Sequence, residues 1–138
     1  MSKKAEKRTL SQIFTGTNTV KYGPFKVRKQ PQADWREAAA FVNGQEISLP
    51  EESIKTLALL VANKGKPVGY PDLEWPKTYR PGSYVNAFRD RVRRLKAAIG
   101  QIDENLADLV TAANPVRCQG EAGSNNRNLN GTYYIHLS

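Results

Sequence analysis

The segment 84–100, YVNAFRDRVRRLKAAIG, carries side chains that can recognise nucleic acid. Arginine can pair with guanine through two hydrogen bonds, asparagine can pair with adenine in the same way, and aspartate can accept a hydrogen bond from cytosine. At 100° per residue, one face of a helix would present Asn86, Asp90, Arg93, Arg94 and Ala97, with Arg89 and Arg91 on its shoulders. A helix with this face is suited to contact base edges in the major groove of duplex DNA.

An apolar stripe indicates that this segment is a helix with one buried face. Its members recur at intervals of three or four residues: Val85, Phe88, Val92, Leu95 and Ile99. Ser83 precedes them as the expected N-cap. The alternative is a solvated surface helix in which Asp90 pairs with Arg94 or Arg93. The other arginines would remain uncompensated in that case, so we favour the binding interpretation.

The charge of the chain is clustered. The net charge is +8, with +7 in residues 1–30 and +6 in 77–96, whereas 31–76 and 97–138 carry −3 and −2. Two separated basic blocks are typical of a protein that binds a polyanion. The first block predicts a flexible basic arm in 1–21. Its candidate contacts to phosphates or the minor groove are Lys3, Lys4, Lys7 and Arg8. A solvated tail is the alternative for this arm.

The sequence lacks the usual signatures of a catalytic or metal-binding site. His136 is the only histidine and Cys118 the only cysteine, which is too few for a metal site with familiar ligand spacing. The segment NKGKPVG (63–69) does not have the spacing of a phosphate loop. We therefore expect no enzyme, no metal and no cofactor. The single cysteine, and the lack of a signal peptide or membrane span, predict a cytoplasmic, nucleoid-associated protein.

The N-terminal half predicts a small antiparallel sheet followed by a helix. Residues 25–28 alternate between apolar and basic side chains, as in a strand. Asn43-Gly44 joins two further strands, because both residues tolerate the positive φ of a type I′ turn. Apolar residues at helical spacing predict a helix that starts at Pro50 and ends before Gly65.

The C-terminal half predicts further helical stretches and a closing hairpin. A short helix begins at Pro71, and 102–113 predicts another helical stretch after the basic helix. Residues 116–119 and 132–137 are two expected strands around a polar loop, with Arg127 near its tip. The aromatic residues expected in the core are Trp35, Trp75, Phe88 and Tyr133.

This order of elements resembles the winged-helix DNA-binding domain of the OmpR/PhoB class of bacterial response regulators. FVNGQEISLPEESIKTLALLVANKGKPVGYPDL (41–73) is similar to that family's run of strand, turn, helix and link. SYVNAFRDRVRRLKAAIG (83–100) is similar to its recognition helix, and NGTYYIHL (130–137) to its closing strand. The resemblance covers about 22–138. It implies an α+β winged helix-turn-helix, with N-terminal antiparallel strands, a three-helix core and a C-terminal β-hairpin wing at about 116–137.

The resemblance also implies roles for individual residues, with a recognition helix at about 84–99 in the major groove. The base contacts would be Asn86, Arg89, Asp90 and Arg93. The contacts to the DNA backbone would be Lys77, Tyr79, Arg80, Arg91, Arg94 and Lys96, and the wing residues would be Arg117 and Arg127. The loop EWPKTYRPGS (74–83) matches a segment that borders DNA in this family and touches RNA polymerase in some members.

The chain also departs from the family. Pro50 stands where the family usually has Thr or Ser, and 102–115 is longer than the usual link from recognition helix to wing. No phosphoacceptor receiver domain precedes the strands, so phosphorelay control is not expected. We expect a sequence-specific transcription regulator of bacterial, phage or mobile-element origin that binds duplex DNA as a dimer or in tandem. The alternatives are a protein–protein interaction module, or a non-specific DNA- or RNA-binding protein that uses the same basic surface.

Overall fold

In the computed structural model, the first half of the chain forms a four-stranded antiparallel sheet. The structure describes residues 8–73, 81–112 and 132–137, with the backbone alone at 70–71 and 81–85. The strands pair in chain order: β1 (Thr19–Tyr22), β2 (Phe25–Arg28), β3 (Ala39–Val42) and β4 (Gln45–Ile47). Together with the helices described below, this sheet confirms the predicted α+β class.

The turn between β3 and β4 has the geometry that its sequence predicts. Asn43 and Gly44 adopt φ values of 53° and 82°, which a type I′ turn requires at its two central residues. The predicted hairpin is therefore confirmed. The strand predicted at 25–28 is also present as β2, and its apolar residues Phe25 and Val27 are fully buried.

The two faces of the sheet have opposite character. Val20 and Val27 lie opposite each other in β1 and β2, and both are buried beneath helix α1 (Glu51–Ala62). On the other face Lys21 of β1 lies opposite Lys26 of β2. Like charges directly opposite each other are unfavourable in a sheet. Lys26 has a favourable neighbour on its other side, since its Nζ lies 4.6 Å from the ring centroid of Phe41 in β3.

Helix α1 runs through the middle of the core. It begins after Pro50 and ends at Asn63, as the sequence predicts. Leu57, Leu59 and Leu60 are fully buried, so the helix is covered on more than one side. The chain leaves the helix through a left-handed turn in which Gly65 has a φ of 90°, a conformation that glycine adopts without steric cost.

Helix α2 (Pro81–Gly100) contains the arginine-rich segment. It begins two residues before the predicted cap, so the assignment of Ser83 as the N-cap is wrong. Proline suits the first position of a helix, because its φ is already helical and its missing N–H has no partner there. The predicted apolar stripe is buried at all four positions whose side chains are described: Phe88, Val92, Leu95 and Ile99.

The prediction of a helical stretch at 102–113 is only partly correct. Helix α3 is a single turn, Glu104–Ala107, and the chain then forms strand β5 (Val110–Ala112). Strand β5 pairs with β6 (Tyr133–Ile135), and Val110 and Ile135 are fully buried opposite each other. Because β6 is distant in sequence, its pairing with β5 is a tertiary contact, and this contact outweighs the local helical pattern of 110–112. The strand predicted at 116–119 lies outside the described residues.

The sequence places the end of the basic arm too late. Ile13 and Phe14 are buried in the core, after a 3₁₀ turn at Leu10–Gln12. Residues 8–21, which were assigned to the arm, therefore belong to the folded domain. The side chain of Asn63 holds this segment, because its Oδ1 accepts from the backbone N–H of Arg8 (2.7 Å) and its Nδ2 donates to the Arg8 carbonyl (3.1 Å).

The predicted short helix at Pro71 is a 3₁₀ turn, Tyr70–Leu73. The carboxylate of Asp72 stabilises its start by accepting from the backbone N–H of Gly69 at 3.0 Å. The turn contacts both α1 and α2. No helix in 8–73, 81–112 or 132–137 is long and apolar enough to cross a membrane.

Candidate nucleic-acid interface

The exposed side of α2 forms one wall of a groove of about 590 Å³. We call it the α2 groove, and its lining residues are Asn86, Arg89, Asp90, Arg93, Lys96 and Tyr133. The structure thus brings together all four side chains that the sequence assigns to base contacts. Lys96, which was assigned to the DNA backbone, lies in the same groove. Because the opposite side of α2 is fixed in the core, these side chains project from a rigid element.

Two neighbouring elements flank the exposed face of α2. On one side, Phe88 packs against Tyr133 of β6, with ring centroids 5.8 Å apart. On the other side, Arg91 reaches Glu52 of α1, with Nη2 3.8 Å from the carboxylate. The side chain of Arg91 is only 21% exposed. Arg91 is therefore a link between the helices as well as a candidate contact to the DNA backbone.

Asp90 organises two of the arginines. Its carboxylate accepts a 2.6 Å hydrogen bond from Nη2 of Arg93 and lies 3.0 Å from Nη2 of Arg94. Both arginine side chains remain more than two-thirds exposed. Ion pairs this exposed contribute little to the stability of the fold.

The hydrogen bond from Arg93, together with the positive charge of Arg94, lowers the pKa of Asp90 below the ordinary value of an aspartate. Asp90 is therefore ionised at neutral pH. A carboxylate with a lowered pKa contributes stability above its unfolded-state pKa, and this contribution is lost as the pH falls through the folded-state pKa. Protonation of Asp90 therefore changes the charge of the α2 groove only in that acidic range.

Two cations in the α2 groove are not compensated by a described acid. Neither Arg89 nor Lys96 forms an ion pair or side-chain hydrogen bond with any residue in the described ranges. Arg89 is exposed, and Lys96 is half-buried along the wall of the groove. The described part of α2 carries five basic residues and one acid, so its exposed face has a positive field that attracts a polyanion.

Tyr133 is a lining residue that the sequence did not identify. It was expected in the core, and it is half-buried because one side packs on Phe88 while the other faces the α2 groove. Phe88 is buried as expected and Trp35 is half-buried, whereas Trp75 lies outside the described residues. No local pattern pairs Tyr133 with α2, because the two are far apart in the sequence.

Several predicted contacts lie outside the described residues. They are Lys77, Tyr79 and Arg80 of the loop, Arg117 and Arg127 of the wing, and Lys3, Lys4 and Lys7 of the arm. Arg8 is described and exposed, but it lines a different groove, between β1 and the end of α1. No group of three or more His, Cys, Asp or Glu side chains suited to a metal ion occurs in the described part of the chain.

Comparisons of the chain with protein-family models, with curated proteins and with solved structures found no match.

Proposed function

We propose that the chain is a winged-helix protein that binds duplex DNA in a sequence-specific manner and regulates transcription. The observation that carries this proposal is the α2 groove, where Asn86, Arg89, Asp90 and Arg93 share the solvent-facing side of a helix fixed by its buried side. These are the side-chain types that distinguish base pairs in the major groove. The helix has 20 residues and is about 30 Å long, which is sufficient for it to cross the groove.

The order of elements after the sheet supports the winged-helix assignment. Helix α1 is followed by Val68, which pairs with Tyr133 of β6 through two backbone hydrogen bonds of 2.8 and 2.9 Å. A short 3₁₀ turn and the basic helix α2 come next, and β5 then pairs with the other edge of β6. Apart from the single turn of α3 between α2 and β5, this order is the one expected of a winged helix, and β5 and β6 would form the base of the wing. The first helix of the helix-turn-helix pair would be the 3₁₀ turn.

The contacts of Asp90 suggest how Arg93 would read a base. A hydrogen bond from one terminal nitrogen of the guanidinium fixes the orientation of the planar group. The remaining N–H groups of Arg93 stay available for a guanine. Preorganisation of this kind lowers the conformational entropy that binding must remove. Arg94, which shares the same carboxylate, would lie against a phosphate.

This function is tested by the binding of fluorescent duplexes to Arg93→Ala and to a matched control. Arg36→Ala is the control, because Arg36 is 75% exposed, pairs with Asp34 at 3.3 Å and does not line the α2 groove. Arg93→Ala is expected to weaken binding by about 1–3 kcal/mol and to relax preference at one base pair. Arg94→Ala is expected to weaken all duplexes about equally. If Arg93→Ala bound every duplex as Arg36→Ala does, α2 would not be the recognition helix.

The further proposed partners follow from the same assignment. A second copy of the chain would occupy an adjacent half-site, as a dimer or in tandem, and RNA polymerase would contact the loop 74–83. Selection of DNA sites tests the first of these, because a dimer or a tandem pair requires a repeated half-site.

A further inference from the structure

A second basic groove shares no lining residue with the α2 groove. It is formed by the N-terminal segment, the edge strand β1 and the turn that follows α1, and it encloses about 530 Å³. We call it the N-terminal groove. Its four charged residues are Arg8, Lys21, Lys64 and Lys66, and no acidic residue in 8–73, 81–112 or 132–137 lines it. All four are exposed. The sequence indicated a basic block in 1–30 that the α2 groove does not explain, and two of these residues belong to that block.

The cations of the N-terminal groove have no described counter-charge. None of the four forms an ion pair or a side-chain hydrogen bond with a residue in 8–73, 81–112 or 132–137. Elsewhere on the surface, Arg36, Lys55 and Arg93 each pair with a nearby carboxylate. Four like charges around one concave surface repel each other, and a low-dielectric wall strengthens their combined field. Such a surface favours a ligand that carries several negative charges.

The backbone at Lys64 is in an unfavourable conformation for lysine. Its φ is 46°, in the left-handed region that glycine and asparagine adopt more readily. Gly65 next to it, with a φ of 90°, fits closely against β1, since a Cβ there would lie 3.0 Å from the hydroxyl oxygen of Tyr22. The left-handed conformation at Lys64 is therefore required by the tight turn. The stability of this turn does not explain why the position holds a lysine.

The rest of the N-terminal groove is held rigidly. The buried amide of Asn63 bonds to both backbone groups of Arg8 and also donates to the Leu59 carbonyl at 2.9 Å. This fixes Arg8 at the C-terminal end of α1. Lys3, Lys4 and Lys7 precede Arg8 in the sequence.

The N-terminal groove is close to the α2 groove. Lys66 lies two residues before Val68, and Val68 pairs with Tyr133, which lines the α2 groove. Two residues span at most about 7 Å, and paired antiparallel residues are about 5.5 Å apart, so the Cα atoms of Lys66 and Tyr133 lie within about 13 Å. One helical turn of duplex DNA is about 34 Å long. A duplex on α2 therefore extends far enough to reach Lys66.

We propose that the N-terminal groove binds backbone phosphates of the same nucleic acid through Arg8, Lys21, Lys64 and Lys66. This inference rests on the proposed function for the identity of the ligand. Lysine side chains recognise phosphates as point charges and do not distinguish bases, so the N-terminal groove adds affinity without sequence preference. It thereby extends the footprint of the protein beyond the base pairs that α2 reads.

The test is the salt dependence of duplex binding by the full-length chain with Lys21→Gln and Lys66→Gln combined. Removal of two phosphate contacts is expected to reduce the slope of log affinity against log salt concentration by about 1.8. The loss of affinity should be equal for every duplex and should grow by about 3.5-fold each time the salt concentration is halved. The bases selected from a random library should not change. The control is Arg36→Gln with Lys55→Gln, which removes the same charge from two residues outside both grooves. A slope equal to that of the control would overturn the proposal.

A second variant separates binding from folding. Lys64→Asn removes one charge but suits a left-handed residue, so its melting temperature should equal or exceed that of the parent chain, while the salt slope falls by about 0.9. Lys64→Arg should keep the slope of the parent chain. An unchanged slope in Lys64→Asn would count against the proposal.

Two further outcomes identify which proposal fails. Poly-glutamate and duplex DNA can be compared as competitors for the N-terminal groove at equal total charge. If poly-glutamate were as effective a competitor as the duplex, the ligand would be an acidic polypeptide and the proposal would be wrong. If Arg93→Ala kept the base preference of the parent chain while the variants of the N-terminal groove still lost affinity for duplexes, the role of α2 in recognition would fail. Phosphate binding by the N-terminal groove would be supported in that case.

Discussion

Replacement of Ile13 by alanine should destabilise the protein strongly, although the sequence places Ile13 in a flexible arm. The side chain is fully buried in the core. The substitution removes three carbon atoms, and at about 0.8 kcal/mol for each buried methylene the lost transfer free energy is about 2.4 kcal/mol. A cavity that collapses only partly adds to this, so we expect a loss of about 3–4 kcal/mol. For a domain of this size, the melting temperature should fall by about 10–15 °C.

The assay is urea denaturation followed by circular dichroism, with tryptophan fluorescence as a second probe. Trp35 is a local reporter, because its ring packs edge-on against Phe14, with centroids 5.7 Å apart. Ile102→Ala is the matched control, since Ile102 is 39% exposed and the same atoms are removed. The control should change the free energy of unfolding by less than about 0.5 kcal/mol. If Ile13→Ala behaved like Ile102→Ala, the segment 8–21 would be an arm after all.

Two further predictions concern single side chains. In ¹³C NMR titrations the pKa of Asp90 should lie below the usual aspartate value. It should rise towards that value in Arg93→Ala, because Arg93 donates the main stabilising hydrogen bond. An equal pKa in both proteins would exclude this ion pair in solution. Asn63→Ala should lower the free energy of unfolding by about 1–3 kcal/mol, since its buried amide makes three hydrogen bonds to backbone groups. Urea denaturation measures this loss. Hydrogen exchange of the native protein should also be faster at the Arg8 backbone amide in this variant, and unchanged exchange there would contradict the anchoring role of Asn63.

The elements that the sequence predicts correctly are those specified by adjacent residues. Asn43-Gly44 sets the hairpin because only a few residue types tolerate its backbone angles. Helix α1 follows from apolar residues at helical spacing and from the stop at 63–65. The exposed face of α2 also follows from spacing alone, since the buried positions Phe88, Val92 and Leu95 determine which side chains project outward.

The elements that the sequence misses depend on distant contacts. Residues 110–112 have a pattern compatible with a helix, and they form a strand because β6 supplies a partner. Ile13 and Phe14 follow a basic stretch that is too polar to indicate a core element, and they are buried only as members of the assembled core. Burial of short segments is a property of the assembled fold.

The same distinction applies to the candidate sites. Asn86, Arg89, Asp90 and Arg93 belong to one helix, so their proximity is a local property. The pairing of Arg91 with Glu52, and the position of Tyr133 beside α2, both require the folded chain. The N-terminal groove was missed for this reason, because its four cations come from three separate segments.

The most direct test of sequence-specific DNA binding is selection from a library of random duplexes at two salt concentrations, with sequencing of the retained fraction. We expect one enriched motif at both concentrations, lower retention at the higher salt, and loss of one specified base in the motif selected by Arg93→Ala. A repeated half-site would indicate a dimer or tandem binding. Salt-sensitive retention without a motif, or no retention at low salt, would contradict the proposal that α2 reads DNA sequence.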